Sequence, residues 1–535
     1  MFPIVPSRPP PRRATRETPH RLAARARPRE PRAGGKGGKV RITLSPSSLS
    51  DYATFLKVKG LPKYRFTGRS AEFPDEYAAM LGARAKPAGV ADYSPIKGLF
   101  DYQRDITALA IAKRKFAVFA DCGLGKTLIL SEFARHAAAH LPQERAVLIV
   151  SPLMVVRQTL AEVRRFYGDS LPIEQVRAAD LSQWLTSGAG RIGITNYDAL
   201  NETTPQGRLG GLILDESSML KSHYGKWGTT CIRLGRGLGW KLALTGTPAP
   251  NDRIEYANHA VFLDQFPTVN SFLARFFVNR GQTDNRWELK PHALRPFYRA
   301  LSHWCIFLNN PTTYGWKDNT ENVPPIKVHI HDVALSKEQR DVLGKETGTL
   351  FMAGAGGITS RSVLSQIAKG NYRGAAVETF KPAYIRDLCA GWPGESTIVW
   401  CLYNREQELL EQFFPDAASV SGDTPPERRE ELIEEFKAGR RQMMISKGKI
   451  LGFGLNLQIC TRMVFSGLQD SYETFYQCVK RANRYGSTKP LNVHIPVTEV
   501  ERPMIETVLT KSKRVQHDTE EQERLFKELG VNHAS

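Results

Sequence analysis

Five short apolar runs recur between residues 115 and 246, each closed by turn residues: KFAVFA (115–120), VLIVS (147–151), IGITN (192–196), LILDE (212–216) and LALTG (242–246). Charged residues are nearly absent from them, so each predicts a short strand covered on both faces. Helix-period segments at 128–139 and 159–166 lie between some of them. Strands buried on both sides and separated by helices call for a parallel, doubly wound α/β sheet. A second set follows at 396–401 (STIVWC), 442–446 (QMMIS), 463–466 (MVFS) and 492–496 (NVHIP). It contains a helix at 426–438, with Leu432, Ile433 and Phe436 on one face and Gly439 as its stop. Two α/β lobes are therefore expected, at 96–252 and 381–500. Residues 253–380 are richer in Trp, Phe and Arg and turn-rich at 310–326, which predicts a mainly helical insertion and hinge. An N-terminal extension (41–95) and a charged, amphipathic C-terminal helical segment (501–535) complete the expected division.

Composition narrows the setting. No apolar run reaches the roughly 18 residues of a spanning helix, and no apolar segment follows the basic N-terminus, so neither an integral membrane protein nor a secretory leader is expected. Seven cysteines (122, 231, 305, 389, 401, 460, 478) are scattered without a C-x-x-C pair. That argues against a disulfide scaffold or a cysteine-based zinc module and for a reducing cytosol. The net charge of +20 points to a polyanionic partner, nucleic acid before a membrane surface. Residues 1–40 hold +9 of it, in nine Arg and two Lys against Glu17 and Glu30, together with eight prolines. Such a segment predicts a disordered basic tail. A nucleic-acid tether, an organellar transit peptide and a start codon assigned too far upstream all fit this composition.

The first apolar run leads into Asp121-Cys122-Gly123-Leu124-Gly125-Lys126-Thr127 and then a helix. Glycines there let backbone N–H groups close around phosphate oxygens at a helix N-terminus, where the helix dipole also favours anions. Lys126 would reach the β- and γ-phosphates of a nucleotide, and the Thr127 hydroxyl would take one Mg²⁺ position. Ala120 stands where the strict pattern has a first glycine. A carboxylate from a neighbouring strand end is needed to hold the metal, and Asp215 closes the run LILDE. Glu216, next to it, would position and deprotonate an attacking water. The following run ends in LTGTPAPND, whose Thr245 and Thr247 place hydroxyls at the top of the sheet as a relay to the second lobe. In that lobe, Arg481 and Arg484 are three residues apart on one helical face. Taken alone they describe a basic surface helix; facing the phosphate loop, they would stabilise charge on the transferring phosphoryl group.

In this order the segments resemble a superfamily-two helicase ATPase of the DEAD/DEAH type, more narrowly its Swi/Snf-like branch as found in phages and prophages, over residues 97–515. FDYQRDI (100–106) looks like the adenine-reading segment, with Gln103 on the base. VLIVSPLMVVRQ (147–158) and ITNYDAL (194–200) look like strand-contacting motifs, and DESS stands at the acidic box. In the second lobe KPAYIRDL (381–388), TIVWCLYN (397–404), VSGDTPPERREELIEEFKAG (420–439), ISKGKILGFGLNLQ (445–458) and QCVKRANRYGS (477–487) follow in family order. Ser487 replaces the Gln that usually ends the last motif, and Asp470-Ser-Tyr-Glu473 replaces a Trp-Asn-Pro. No nuclease or methyltransferase signature is present.

The resemblance implies two tandem RecA-like P-loop lobes that close on ATP·Mg²⁺. Cys122, Gly123, Leu124, Gly125, Lys126, Thr127, Asp215 and Gly454 would sit at the nucleotide, Thr127 and Asp215 at the metal, and Glu216, Arg481 and Arg484 at the chemistry. It further implies a DNA translocase or helicase in a bacterial or phage-infected cytosol. Duplex DNA would be gripped by its backbone at the faces carrying 151–158, 195–198, 402–405 and 450–458. A motor subunit serving a protein partner, as in a restriction/modification-type complex, and a slow nucleotide-switched DNA clamp are the alternatives.

Overall fold

The computed structural model describes residues 38–45, 48–81, 92–222, 225–281, 287–317, 323–352, 358–451, 457–468, 471–484 and 487–528. The tail at 1–37 lies outside the described residues.

Lobe one is a seven-stranded sheet built from β1 (Lys115–Ala120), β2 (Ala146–Ser151), β3 (Glu174–Gln175), β4 (Ile192–Asn196), β5 (Leu209–Leu214), β6 (Trp240–Leu244) and β7 (Cys305–Leu308). The strands run in the order β7-β1-β6-β5-β2-β4-β3, and every pairing is parallel. Their apolar runs are continuous because both faces are covered. Val118, Ile149, Ile213 and Leu242 meet Ile129, Leu130 and Phe133 on one side, the side of α1 (Asp101–Lys113), α2 (Lys126–His140) and α3 (Leu153–Tyr167). Phe119, Leu148, Leu212 and Leu214 meet Phe262, Phe272, Phe276 and Phe297 on the other. The aromatic residues of the 253–380 segment thus close the second face of lobe one.

Lobe two repeats the plan with β8 (Ile326–Asp332), β9 (Thr397–Cys401), β10 (Ala418–Val420), β11 (Met443–Lys447), β12 (Arg462–Phe465) and β13 (Leu491–Val497). The order is β8-β13-β12-β9-β11-β10, again parallel throughout. The 253–380 segment is mainly helical, and it also supplies one edge strand to each sheet, β7 and β8. Both lobes are therefore completed by the chain that joins them.

Two elements tie the ends of the chain to this core. Residues 39–74 form a three-stranded antiparallel sheet with one helix (Leu49–Lys59) and their own core of Val58, Leu61, Ala71 and Phe73. Lys63 Nζ bonds Gln265 Oε1 at 2.8 Å and Glu76 pairs with His303 at 3.1 Å, which seats the module on lobe one. At the other end, helix α6 (Arg502–Glu528) crosses between lobes. Ile505 and Val508 belong to the lobe-two core, whereas Leu525 belongs to that of lobe one. Arg253 Nε bonds Asp518 at 3.1 Å and the Asn309 N–H donates to Glu523 at 2.8 Å, so polar contacts hold the distal half of α6 to lobe one.

Candidate nucleotide site

β1 ends at Ala120, residues 121–125 turn, and α2 begins at Lys126. Gly123 (φ 88°) and Gly125 (φ 72°) occupy the left-handed region that side chains disfavour. At Gly125 the space is also taken: a Cβ would run into the Gln103 amide. No side chain caps the first turn of α2; the Leu128 N–H is taken by the Gly125 carbonyl at 3.0 Å, which leaves the two amides before it to an anion. Lys126 Nζ donates to the Ala120 carbonyl at 3.0 Å, inside the curl of the loop. Burial disfavours its charge, yet Cys122, Glu216, Asp215 and Asp121 outweigh burial and hold its pKa above the ordinary value.

The acidic pair sits just beyond β5, because that strand ends at Leu214 rather than running on to 216. Asp215 Oδ2 accepts from Ser151 at 2.8 Å, its carbonyl accepts from Tyr197 at 2.8 Å, and its Oδ1 accepts from the Glu216 N–H at 3.0 Å. Burial, then the Glu216 charge, push the Asp215 carboxyl up to about 6. Glu216 adopts φ 47°, a conformation uncommon for a side-chain-bearing residue and typical of sites that aim a group by force. Thr245 Oγ1, released by the end of β6 at Leu244, lies 3.4 Å from Glu216 Oε2, and the Thr247 N–H donates to Thr245 Oγ1 at 3.2 Å.

The opposite wall comes from lobe two. Helix α5 (Tyr472–Ala482) carries Arg481 near its end, and Arg484 follows it. Both arginines line one cavity of about 490 Å³ together with Cys122, Gly123, Gly125, Lys126, Thr127, Asp215 and Glu216. Burial and then the Arg481 charge lower the Arg484 pKa, and its Nε is buried without a hydrogen-bond partner. Glu162 and Glu216 offset part of this positive charge, and the phosphates of a nucleotide would offset more of it. Gly448 helps to seat α5: a Cβ there would lie 2.8 Å from Thr474 and 3.0 Å from Cys478.

Not every expected residue reaches the cleft. Gln103 is 2% exposed beneath the loop, where its amide accepts from the Phe100 N–H at 3.0 Å and donates to the Leu124 carbonyl at 3.3 Å. It therefore supports the loop rather than lining the cavity. Leu124 is buried as well, and Gly454 lies outside the described residues. The cavity also includes Glu162 and Arg165 of α3, which sequence reading did not single out, and Gln158 and Gln458, which it placed on faces expected to contact DNA. Gln158 Oε1 is buried without a partner, and burial raises the Glu162 carboxyl although Thr127 and Arg484 oppose this. For Glu162 and Arg165 the only sequence signal is a place directly beyond one of the quoted segments.

The donors fit a Mg²⁺ ion delivered with a nucleotide. Thr127 and Asp215 offer hard oxygen atoms, and Glu216 beside Asp215 adds a second carboxylate to the same cavity. Among the described residues no cluster of three or more metal-ligating side chains exists, so phosphate oxygens and waters would complete the shell, as Mg²⁺ favours.

Two family models match successive parts of the chain. The SNF2-related domain matches residues 113–374, and the helicase conserved C-terminal domain matches 381–486. The Drosophila melanogaster SWI/SNF-related matrix-associated actin-dependent regulator of chromatin subfamily A-like protein 1 is 23% identical over 408 residues, covering 74% of this chain and 52% of its own. The chain thus spans about half the length of that relative. Protein p41 of Acyrthosiphon pisum secondary endosymbiont phage 1 is 24% identical over 438 residues, covering 74% of this chain and 91% of its own. Among solved structures, the Sulfolobus solfataricus SWI2/SNF2 ATPase core in complex with dsDNA is 18% identical, with 82% and 97% coverage and a TM-score of 0.37.

Proposed function

This chain belongs to the SNF2-related, helicase-like family of nucleic-acid-dependent ATPases, and from that premise we propose that it is a DNA-stimulated translocase. ATP would be hydrolysed between its lobes. The observation that carries the reading is the shared cavity: Lys126, Thr127, Asp215 and Glu216 of lobe one face Arg481 and Arg484 of lobe two.

In this reading the uncapped amides of α2 and Lys126 bind the β- and γ-phosphates. Thr127 and Asp215 hold Mg²⁺, which when bound neutralises charge on those phosphates. Glu216, aimed by its backbone conformation and touched by Thr245, takes the proton of the attacking water. Arg481 and Arg484 stabilise charge on the phosphoryl group in flight. Because these groups come from two lobes, nucleotide favours closure and phosphate loss favours opening. If each lobe grips a DNA backbone by turns, the cycle becomes net movement along it, with contacts to phosphates and little sequence preference.

The test is ATP turnover measured alone and with single-stranded DNA, duplex DNA and RNA. Stimulation greatest with DNA is expected; equal turnover under all four conditions overturns the motor reading. Triplex displacement beside fork unwinding then separates translocation from strand separation, and displacement without unwinding is expected.

A further inference from the structure

Resting on the two-lobe ATPase reading, the structure assigns a positioning role to Asp121, the first residue of the phosphate loop: with Lys480 and Tyr476 it latches the arginine-bearing helix in register over that loop. The backbone of Asp121 is fixed first, since its N–H donates to the Leu308 carbonyl on edge strand β7 at 2.8 Å. Its carboxylate then points across the cleft. Oδ2 lies 2.9 Å from Lys480 Nζ, and Oδ1 accepts from the Tyr476 hydroxyl and, at 2.5 Å, from the Cys122 N–H. Tyr476 and Lys480 are four apart, hence on one face of α5, and both reach the same carboxylate. Burial opposes ionisation of Asp121, but Lys480 and Tyr476 overcome it and its pKa is lowered.

One contact point would leave the helix free to pivot. Glu473, one turn before Tyr476, pairs with Lys221, five residues beyond Glu216. Helix α5 is therefore pinned at two places on lobe one, one beside the phosphate loop and one beside the acidic pair. Two pins fix both the position of the helix along its axis and its rotation about it. Arg481 follows Lys480 directly, so that rotation decides whether its guanidinium enters the cavity, and small misplacements of such groups are costly in rate. The latch also occupies Lys480 itself. Without Asp121, a further cation would join Lys126, Arg481 and Arg484 and compete for the same phosphate oxygens.

The test is a kinetic cycle in the full chain. Lys480→Met is expected to lower kcat about tenfold while the Kd for a fluorescent ADP stays within about twofold. Lys480→Arg, which keeps the ion pair, is expected to retain at least about half of kcat, and Tyr476→Phe to lose about two- to threefold. Asp121→Asn combined with Lys480→Met is expected to be no worse than the more damaging of its two single variants. Wild-type kcat in Lys480→Met, losses that multiply in the double variant, or equal damage from Arg and Met at 480 would each overturn the latch. Failure of DNA to stimulate the wild type would sink the motor reading alone, because the latch is read from basal turnover relative to wild type.

Discussion

The two lobes share a parallel plan yet treat the end of their first central strand in opposite ways. In lobe one, β1 passes through a five-residue loop with two left-handed glycines, and α2 starts with its amides uncapped. In lobe two, β9 is followed by only Leu402 and Tyr403 before helix α4 (Asn404–Phe413). Both of those N–H groups donate to Glu406, at 2.6 and 3.2 Å. The same topological position is thus an open anion cradle in one lobe and a start already satisfied by a carboxylate in the other. A strand followed by a helix does not make a phosphate site; the loop chemistry between them does. Lobe two contributes cations instead, from α5, which leads into β13 rather than out of β9.

The comparison is broken most directly by removing what only lobe one has. Lys126→Ala is expected to abolish ATP turnover. Glu216→Gln is expected to abolish it too while keeping nucleotide binding, read as fluorescent-nucleotide affinity beside phosphate release. Normal hydrolysis by Glu216→Gln would remove the proton-acceptor role. The lobe-two counterpart is Arg481→Ala, for which a loss on the order of 10³-fold in kcat is expected with nucleotide affinity largely kept. If Arg481→Ala instead weakened binding as strongly as Lys126→Ala, the division into a binding lobe and a charge-stabilising lobe would be wrong.

How far the sequence discloses this division depends on the range of the interactions. The central strands β1, β2, β5 and β9 were legible because burial on both faces leaves an unbroken apolar run. Edge strand β8 was not: its side chains at 327–330 are exposed, so Lys327 and His329 interrupt the pattern. β7 was hidden differently, as four residues within an aromatic-rich stretch that reads as helix-covering core. Local chemistry at 121–127 and 215–216 was readable because each piece acts within a few residues. The approach of Asp121 to Lys480 spans 359 positions and has no local signature. Gln103 shows the converse. Its motif lies where family order puts it, but its side chain is spent on the Phe100 N–H three residues back, an N-terminal capping geometry visible as an i, i+3 spacing.

A middle-sized effect sharpens the contrast at the strand ends. Glu406 is 2% exposed, so Glu406→Ala would strip the part-buried Leu402 and Tyr403 amides of their acceptor. A loss of about 1–3 kcal/mol in urea unfolding is expected. Nucleotide stoichiometry should stay at one per chain, because uncapping the helix creates neither the glycine loop nor its lysine. A second nucleotide bound by this variant would show that capping alone separates the two lobes.

The smallest expected effect concerns histidines that the fold keeps neutral in both lobes. In lobe one, burial holds His259 down to about 4, with Nε2 3.0 Å from Ser217 Oγ and the ring edge-on to Phe119. In lobe two, burial and then His329, His331 and Arg462 bring His494 to about 4; its ring stacks on His329 at 4.7 Å and its Nδ1 lies 3.0 Å from His331 Nε2. In the unfolded chain both titrate near about 6.5. Between that value and 4 the unfolded state takes up protons that the native state refuses, so stability is full above about pH 6.5 and falls as pH drops. The lobes differ in the origin of the shift. No charged neighbour contributes for His259, so its share is insensitive to distant substitutions. Part of the His494 shift is repulsion within a histidine cluster on adjoining strands, so replacing His329 with Gln should raise its pKa and flatten the acid slope. Urea unfolding from pH 7.5 to 5 compares this variant with the wild type. An unchanged slope would mean that burial alone sets His494, leaving the two lobes alike in this respect.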